Sequence, residues 1–279
     1  MSGGIDIALI QTRTPATAEA AFAHVEPLIR KAATEGAKFI LTPEVTNFVE
    51  QRRDRRALVL TDEDQDAAVR GLRLLAAELD VWLLIGSAIV GSGHTGDDRA
   101  ANRSLLIDSG GGIVARYDKL HVFDVDLANG ERYRESATIR PGDGAAMADT
   151  PWGRLGMTVC YDIRFPHLFR QLAKVGACMI SVPAAFTVPT GQAHWETLLR
   201  ARAIETGCYI LAPAQGGTHE DGRKTWGHSI VVGPWGEVIA SVDHDEPCVL
   251  HAKLDMSAVE TARASVPQLQ HDRAFAPPS

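Results

Sequence analysis

Three residues in this chain each close a strand-like run, and their types suit one chemistry. Cys160 ends the apolar stretch Leu155–Val159, within Gly156-Met-Thr-Val-Cys160-Tyr-Asp-Ile-Arg-Phe-Pro166. Glu44 follows Phe39-Ile-Leu-Thr-Pro43, and Lys119 follows Ile113–Tyr117 in Tyr117-Asp-Lys-Leu-His121. A thiol at a strand end is held rigidly while one side stays open to substrate. It needs a base to become a thiolate, and a desolvated carboxylate can take its proton. A nearby ammonium favours the thiolate. It can also donate to the oxyanion formed when sulfur attacks a carbonyl or nitrile carbon. Singly, each residue has a plainer explanation. A cysteine on an apolar strand is ordinarily inert core, a glutamate after proline can merely start a loop, and a lysine can be surface. Their joint occurrence at equivalent strand ends carries the chemical reading.

Those ends must be brought together by alternating strands and helices. Ile5–Ile10 reads as a strand, and a helix follows from about Thr17 to Glu35, with Ala21, Val25, Leu28, Ile29 and Ala32 on one face. Lys38–Thr42 is a second strand, and a helix from about Asp64 to Leu79 precedes a strand at Val81–Val90. Gly91–Arg103 reads as a polar surface loop, and Ser109-Gly-Gly-Gly112 as the turn of a hairpin. After Cys160 come a helix at Pro166–Val175, a strand at Cys178–Val182, a helix at about Gln192–Thr206 and a strand at Cys208–Ala214. His228–Val232, Val238–Val242 and Cys248–Leu254 read as antiparallel strands, and the residues after Pro267 show no core pattern. This alternation predicts an α/β fold around a mixed sheet, with helices on the outer faces. In such sheets, strand ends converge where ligands bind. No GxGxxG opens a helix, which argues against a dinucleotide-binding fold. The chain is expected to form one domain over 1–279, with a core of about 5–255 and a tail of about 256–279.

Composition excludes several classes. The chain has 279 residues, 45% of them hydrophobic, enough for a substantial core. Its net charge is −7, and the densest basic cluster, Arg52, Arg53, Arg55 and Arg56, is interrupted by Asp54 and reads as a solvated surface segment. Nucleic acid is therefore not an expected partner. No run approaches the roughly 20 apolar residues of a membrane span, and no signal peptide is visible at the N-terminus. Four cysteines suggest free thiols and a cytoplasmic location. Cys178, Cys208 and Cys248 sit in apolar runs and read as packing residues, and no CxxC spacing suggests a zinc site.

Three segments together resemble the nitrilase superfamily of carbon–nitrogen hydrolases: Thr42-Pro-Glu44, Tyr117-Asp-Lys-Leu-His-Val-Phe-Asp124 and Cys160-Tyr-Asp-Ile-Arg-Phe-Pro166. The order Glu, Lys, Cys is kept, and the resemblance covers nearly the whole chain. It implies a four-layer αββα sandwich with Glu44 as general base, Cys160 as nucleophile and Lys119 as oxyanion stabiliser, helped by the Tyr161 N–H. A second family glutamate, which positions the lysine or substrate, matches Glu135 in Tyr133-Arg-Glu-Ser136. The implied reaction passes through a cysteine thioester and requires no metal or organic cofactor.

The second half resembles the Nit branch of that superfamily, through Ala185-Phe-Thr187, Thr190-Gly-Gln-Ala-His-Trp-Glu196, Leu198–Glu205, Pro234-Trp-Gly236 and Val266–His271. The resemblance implies an amidase for a small linear keto-acid amide, with deaminated glutathione expected first. The alternatives are an ω-amidase for α-ketoglutaramate, an N-carbamoyl amino acid amidohydrolase, and a non-catalytic binding protein on the same fold. A keto-acid amide carries a carboxylate, so Arg164 and Thr187 are candidate polar contacts and Phe186 a candidate pocket wall. Trp195, Leu198, Leu199 and Ile204 are expected to pack their helix. The resemblance also implies a homodimer or higher homo-oligomer, with Pro166–Val175 and Gln192–Thr206 as the pairing helices. A papain-like Cys–His hydrolase using His121 or His167 is the rival mechanism.

Overall fold

Alternate residues of the first strand belong to different cores. In the computed structural model, which describes residues 4–127 and 130–276, β1 (Gly4–Gln11) turns Ile5, Ile7 and Leu9 to one apolar cluster and Ala8 and Ile10 to another. The same two-residue period divides β2 (Phe39–Leu41), whose Phe39 and Leu41 join the first cluster and Ile40 the second. A sheet buried on both faces needs a layer on each side.

The second cluster is covered by α1 (Ala18–Thr34) and α3 (Ala67–Leu79), which contribute Val25, Ile29, Val69, Leu72 and Leu75. Thr17 caps α1 by accepting the Ala20 N–H, and Asp66 caps α3 by accepting the Val69 N–H. The first cluster faces a second sheet. Each buried Leu, Ile or Phe there contributes roughly 1.5–3 kcal/mol, so the inter-sheet face is the main cohesive surface.

The first sheet adds β3 (Trp82–Gly91), β4 (Ala100–Ile107), β5 (Ile113–Asp118) and β16 (Cys248–Asp255), in the order β16-β1-β2-β3-β4-β5. The second is built from β8 (Ala146–Thr150), β9 (Gly153–Met157), β10 (Ala177–Ser181), β11 (Tyr209–Ala212), β14 (Ile230–Val232) and β15 (Val238–Ser241), in the order β15-β14-β11-β10-β9-β8. Its outer face carries α4 (Pro166–Lys174) and α5 (Val188–Thr206). The result is the four-layer αββα sandwich. Two hairpins, β6 (Asp124–Asp126) with β7 (Arg132–Arg134) and β12 (Gly216–Thr218) with β13 (Lys224–Trp226), stand outside the sheets.

Strand direction explains where the site forms. β1, β2 and β3 run parallel, β4 is antiparallel to β3, and β5 is antiparallel to β4. β5 therefore points the same way as β2, and their C-terminal ends share one edge. β9, β10 and β11 are likewise parallel.

Several expectations are corrected. β4 starts at Ala100, so the stretch read as a loop to Arg103 is partly sheet, and Asn102 lies buried within it. The arginine cluster expected to be a solvated segment lies on the surface as α2 (Arg53–Val59), with the exception of Arg56, which reaches inward to Thr138. Ile204, expected to pack its helix, is 54% exposed. The segment expected as a tail opens with α6 (Ser257–Ser265), which buries Val259 and Ala262 and whose Arg263 donates to the Ala177 and Thr206 carbonyls. The last expected tail residues, 277–279, lie outside the described residues, as do residues 1–3 of the expected leader-free N-terminus. Among the described residues, no helix is long and apolar enough to cross a membrane.

Candidate active site

The loops after the strand ends hold the eight sequence-selected residues around one cavity of about 240 Å³, lined by Glu44, Lys119, Glu135, Cys160, Tyr161, Arg164, Phe186 and Thr187 among others. Glu44 lies after β2, Lys119 directly after β5, and Cys160 after β9. Both Cys160, at φ 50°, and Val45, at φ 53°, occupy the left-handed region. For a non-glycine residue that costs on the order of 1–3 kcal/mol and persists only where the surroundings impose it. Here the Cys160 N–H donates to the Pro183 carbonyl at 2.9 Å, and the Val45 N–H donates to Ser87 Oγ at 2.9 Å. The turn Cys160–Arg164 is further fixed by Asp162, whose Oδ2 accepts from the Val159 N–H at 2.8 Å and from Tyr117 Oη at 2.7 Å.

Glu44 is at the centre. Its Oε1 accepts from Lys119 Nζ at 2.9 Å and from Asn102 Nδ2 at 2.9 Å. Its Oε2 accepts from the Ala185 N–H at 2.9 Å. The Cys160 thiol sits beside this carboxylate, and each shifts the other's proton affinity. Lys119, 2% exposed, is gripped from its other side by Glu135, with Nζ 3.1 and 2.9 Å from Oε1 and Oε2. Glu135 is in turn anchored by the Phe123 N–H at 2.6 Å and by Asn102 Nδ2 at 3.2 Å.

The charge states follow. Burial pushes the Glu44 carboxyl up, but the Lys119 ammonium, the Cys160 thiol and Arg223 outweigh it and hold it below the usual carboxylate range. Burial opposes the Lys119 charge, yet Glu135 and Glu44 raise its pKa above the ordinary lysine value. Burial and the Glu44 charge push the Cys160 thiol well up, against the pull of Lys119. At rest the site therefore holds a carboxylate, an ammonium and a protonated thiol.

The outer residues are more varied. Tyr161 packs edge-on against Phe123 and Phe165. Arg164 lies beside the Tyr161 and Phe186 rings, at 6.0 and 5.9 Å, with Nη2 3.2 Å from His194 Nδ1. Phe186 packs on Trp195, and Thr187 Oγ1 bonds Thr190 Oγ1 at 2.8 Å. His121 is directed elsewhere, with Nδ1 2.7 Å from Asp162 Oδ1 and its ring stacked on Phe165. Neither it nor His167 lines the cavity. Among the described residues, no cluster could hold a metal ion.

Sequence reasoning misses Asn102, Arg56, Arg223 and the Ala185 N–H. Asn102 follows Ala100-Ala101 and precedes Ser104-Leu-Leu-Ile107. Its burial between small residues and a strand was the available signal, obscured by reading the stretch as loop.

Comparison with known proteins shows the family and the fold. The carbon–nitrogen hydrolase family matches residues 6–264. The chain is 43% identical to the deaminated glutathione amidase of Yersinia enterocolitica, over 96% of this chain and 93% of that one. It superposes on the crystal structure of the C. elegans NitFhit protein with a TM-score of 0.88 and 36% identity, covering 98% of this chain and 66% of that chain. A third relative is a glutamate-to-glutamine mutant of the amidase from Nesterenkonia sp. AN1, which carries the acetamide moiety of fluoroacetamide covalently added at the active-site cysteine. It matches with a TM-score of 0.78 and 26% identity over 96% of this chain and 94% of that one. Family match, fold and relatives converge, and the chain belongs to the carbon–nitrogen hydrolase family, as a hydrolase acting on linear amides.

Proposed function

We propose that the chain hydrolyses a small linear keto-acid amide, with deaminated glutathione as its substrate, through a thioester on Cys160. One observation carries the roles: a single carboxylate, Glu44, meets the thiol, the ammonium and a strand-end amide. Oε1 of Glu44 already accepts two donors and Oε2 one, so Oε2 has room for the thiol proton.

In the first half, Glu44 takes the Sγ proton as sulfur bonds to the amide carbon and the carbonyl π pair moves to oxygen. Neutralising Glu44 weakens its hold on Lys119, whose N–H turns to the new oxyanion beside the Tyr161 N–H. Glu135 keeps the ammonium in place. The oxyanion then re-forms C=O, the C–N bond breaks, and Glu44 protonates the departing amine. In the second half, Glu44 takes a proton from water, the hydroxide attacks the thioester, and sulfur leaves and recovers its proton. The cysteine adduct in the Nesterenkonia amidase and the name of the Yersinia relative support this reading.

Ammonia or amine release from deaminated glutathione, α-ketoglutaramate, N-carbamoyl amino acids and a simple nitrile, compared by kcat/KM, tests the substrate. Deaminated glutathione is expected to rank first, and a preference for the nitrile or carbamoyl compound overturns the assignment. Quenched turnover should show an acyl mass on Cys160. Glu44→Gln should lower kcat about 10²–10⁴-fold while His121→Ala does not.

Cytoplasmic residence and a single domain fit the same reading. So does a homodimer formed through α4 and α5. Ile204 on α5 and Trp235 in the turn against it are 54% and 62% exposed, an apolar face that pairing would cover. Light scattering should give twice the chain mass, and a monomer refutes the pairing.

A further inference from the structure

Five arginines line the cavity, and they differ in how their charge is spent. Arg132 and Arg134 both pair with Asp126. Arg164, Arg56 and Arg223 form no ion pair among the described residues. Arg56 donates Nε to the Glu50 carbonyl at 3.0 Å and Nη1 to Thr138 Oγ1 at 2.7 Å. Arg223 donates Nη2 to the Ala185 carbonyl at 2.7 Å, while its buried Nε has no partner. All of these acceptors are neutral. The carboxylates of the cavity are taken: Glu44 and Glu135 by Lys119, and Glu50 by Arg52.

Two half-buried guanidiniums with neutral acceptors and an orphaned N–H are costly to keep. Burial works most strongly against the Arg56 charge and Arg223 adds to it, while the carboxylates of Glu135, Glu50 and Asp221 offset this only in part. The arrangement becomes favourable when an anion enters between them. Arg223 also acts on Glu44, the group that meets the departing amine, and its Nη2 is tied to the residue whose N–H holds Glu44. Arg164, four residues beyond the nucleophile, lies instead among Tyr161, Phe186 and His194.

We propose that Arg56 and Arg223 form a second carboxylate subsite, which takes the carboxylate of the leaving amine while Arg164 faces the acyl portion. The preferred substrate is then a dianion, with one carboxylate on each side of the scissile amide. A planar guanidinium suits this task because it can grip a carboxylate through two parallel N–H bonds. The proposal rests on the amidase reading above and adds the recognition of the departing half.

Two keto-acid amides with the same acyl group test it, one whose leaving amine is a peptide ending in a free carboxylate and its twin ending in a carboxamide. The wild-type enzyme should favour the carboxylate by at least ~10-fold in kcat/KM. Arg56→Gln and Arg223→Gln should each shrink that ratio toward one. Arg56→Lys and Arg223→Lys, which keep the charge, should retain part of it. A ratio that survives both glutamine variants, or a wild type indifferent to the twin, overturns the subsite. Failure of the amidase reading looks different, because neither twin would then be cleaved or leave an acyl mass on Cys160.

Discussion

The central carboxylate has an acidity that sits awkwardly with the role of base proposed for it. Glu44 is held below its ordinary 4.5, and Cys160 is pushed well above its ordinary 9.0. Resting proton transfer from sulfur to Glu44 is therefore uphill. Transfer becomes feasible only as the C–S bond forms, because negative charge then moves to an oxygen facing Lys119. Glu44 starts the cycle ionised down to a pH below 4.5, and the thiol stays protonated beyond 9.0. We therefore predict a kcat/KM profile without inflection between 4.5 and 9.0, falling on the acid side as Glu44 gains its proton. Replacing Lys119 with Met removes the main opposing charge and leaves burial dominant, so the Glu44 carboxyl should titrate above 4.5, readable by carbon NMR of labelled glutamate. An inflection inside that range that disappeared in His121→Ala would transfer the base role to histidine.

The elements were legible where local pattern and tertiary placement coincide. Apolar runs such as Ile5–Ile10 and Val81–Val90 are buried on both faces, so they stand out without knowledge of their neighbours. The residues closing β2, β5 and β9 were visible for the same reason, since a polar group abruptly ends each run. Asn102, Arg56 and Arg223 were hidden because their importance depends on what lies opposite. Asn102 matters by bridging Glu44 and Glu135, which come from distant segments. The hairpin β6–β7 alternates no apolar face, and α2 is polar and mostly exposed, so neither carries a periodic signal. A packing demand was equally invisible. A Cβ on Gly86 would lie 2.0 Å from the Thr42 carbonyl oxygen and 2.5 Å from that of Pro43, so only glycine lets β3 pass the segment that delivers Glu44.

At the scale of the whole molecule, the two sheets are joined by an apolar face along their length and by a buried polar network at the site end. Gln215 ties them, accepting from Thr12 Oγ1 at 3.0 Å and donating to Thr14 Oγ1 at 2.6 Å and to the Glu44 carbonyl at 2.9 Å. His219 extends this network, with Nδ1 3.3 Å from the Thr14 carbonyl and Nε2 2.8 Å from Thr225 Oγ1. The carbonyl can only accept, so Nδ1 carries the proton and Nε2 accepts from the threonine hydroxyl. Burial first, then the charge of Arg223, lowers the His219 pKa from 6.5 to about 4. The folded chain thus keeps His219 neutral between about pH 4 and 6.5, where the unfolded chain binds a proton. Stability from this residue is complete above 6.5 and is lost as pH falls toward 4. From pH 7.5 to 4.5 the loss comes to about 2–3 kcal/mol. Urea unfolding of wild type and His219→Gln at both pH values isolates it, because every other titrating group cancels in the difference. The glutamine variant should be less stable at pH 7.5, and its deficit should shrink by that amount at pH 4.5. A deficit equal at both pH values would mean that the imidazole is charged in the folded state or accessible to water, and that this network does not make the join between the sheets acid-sensitive.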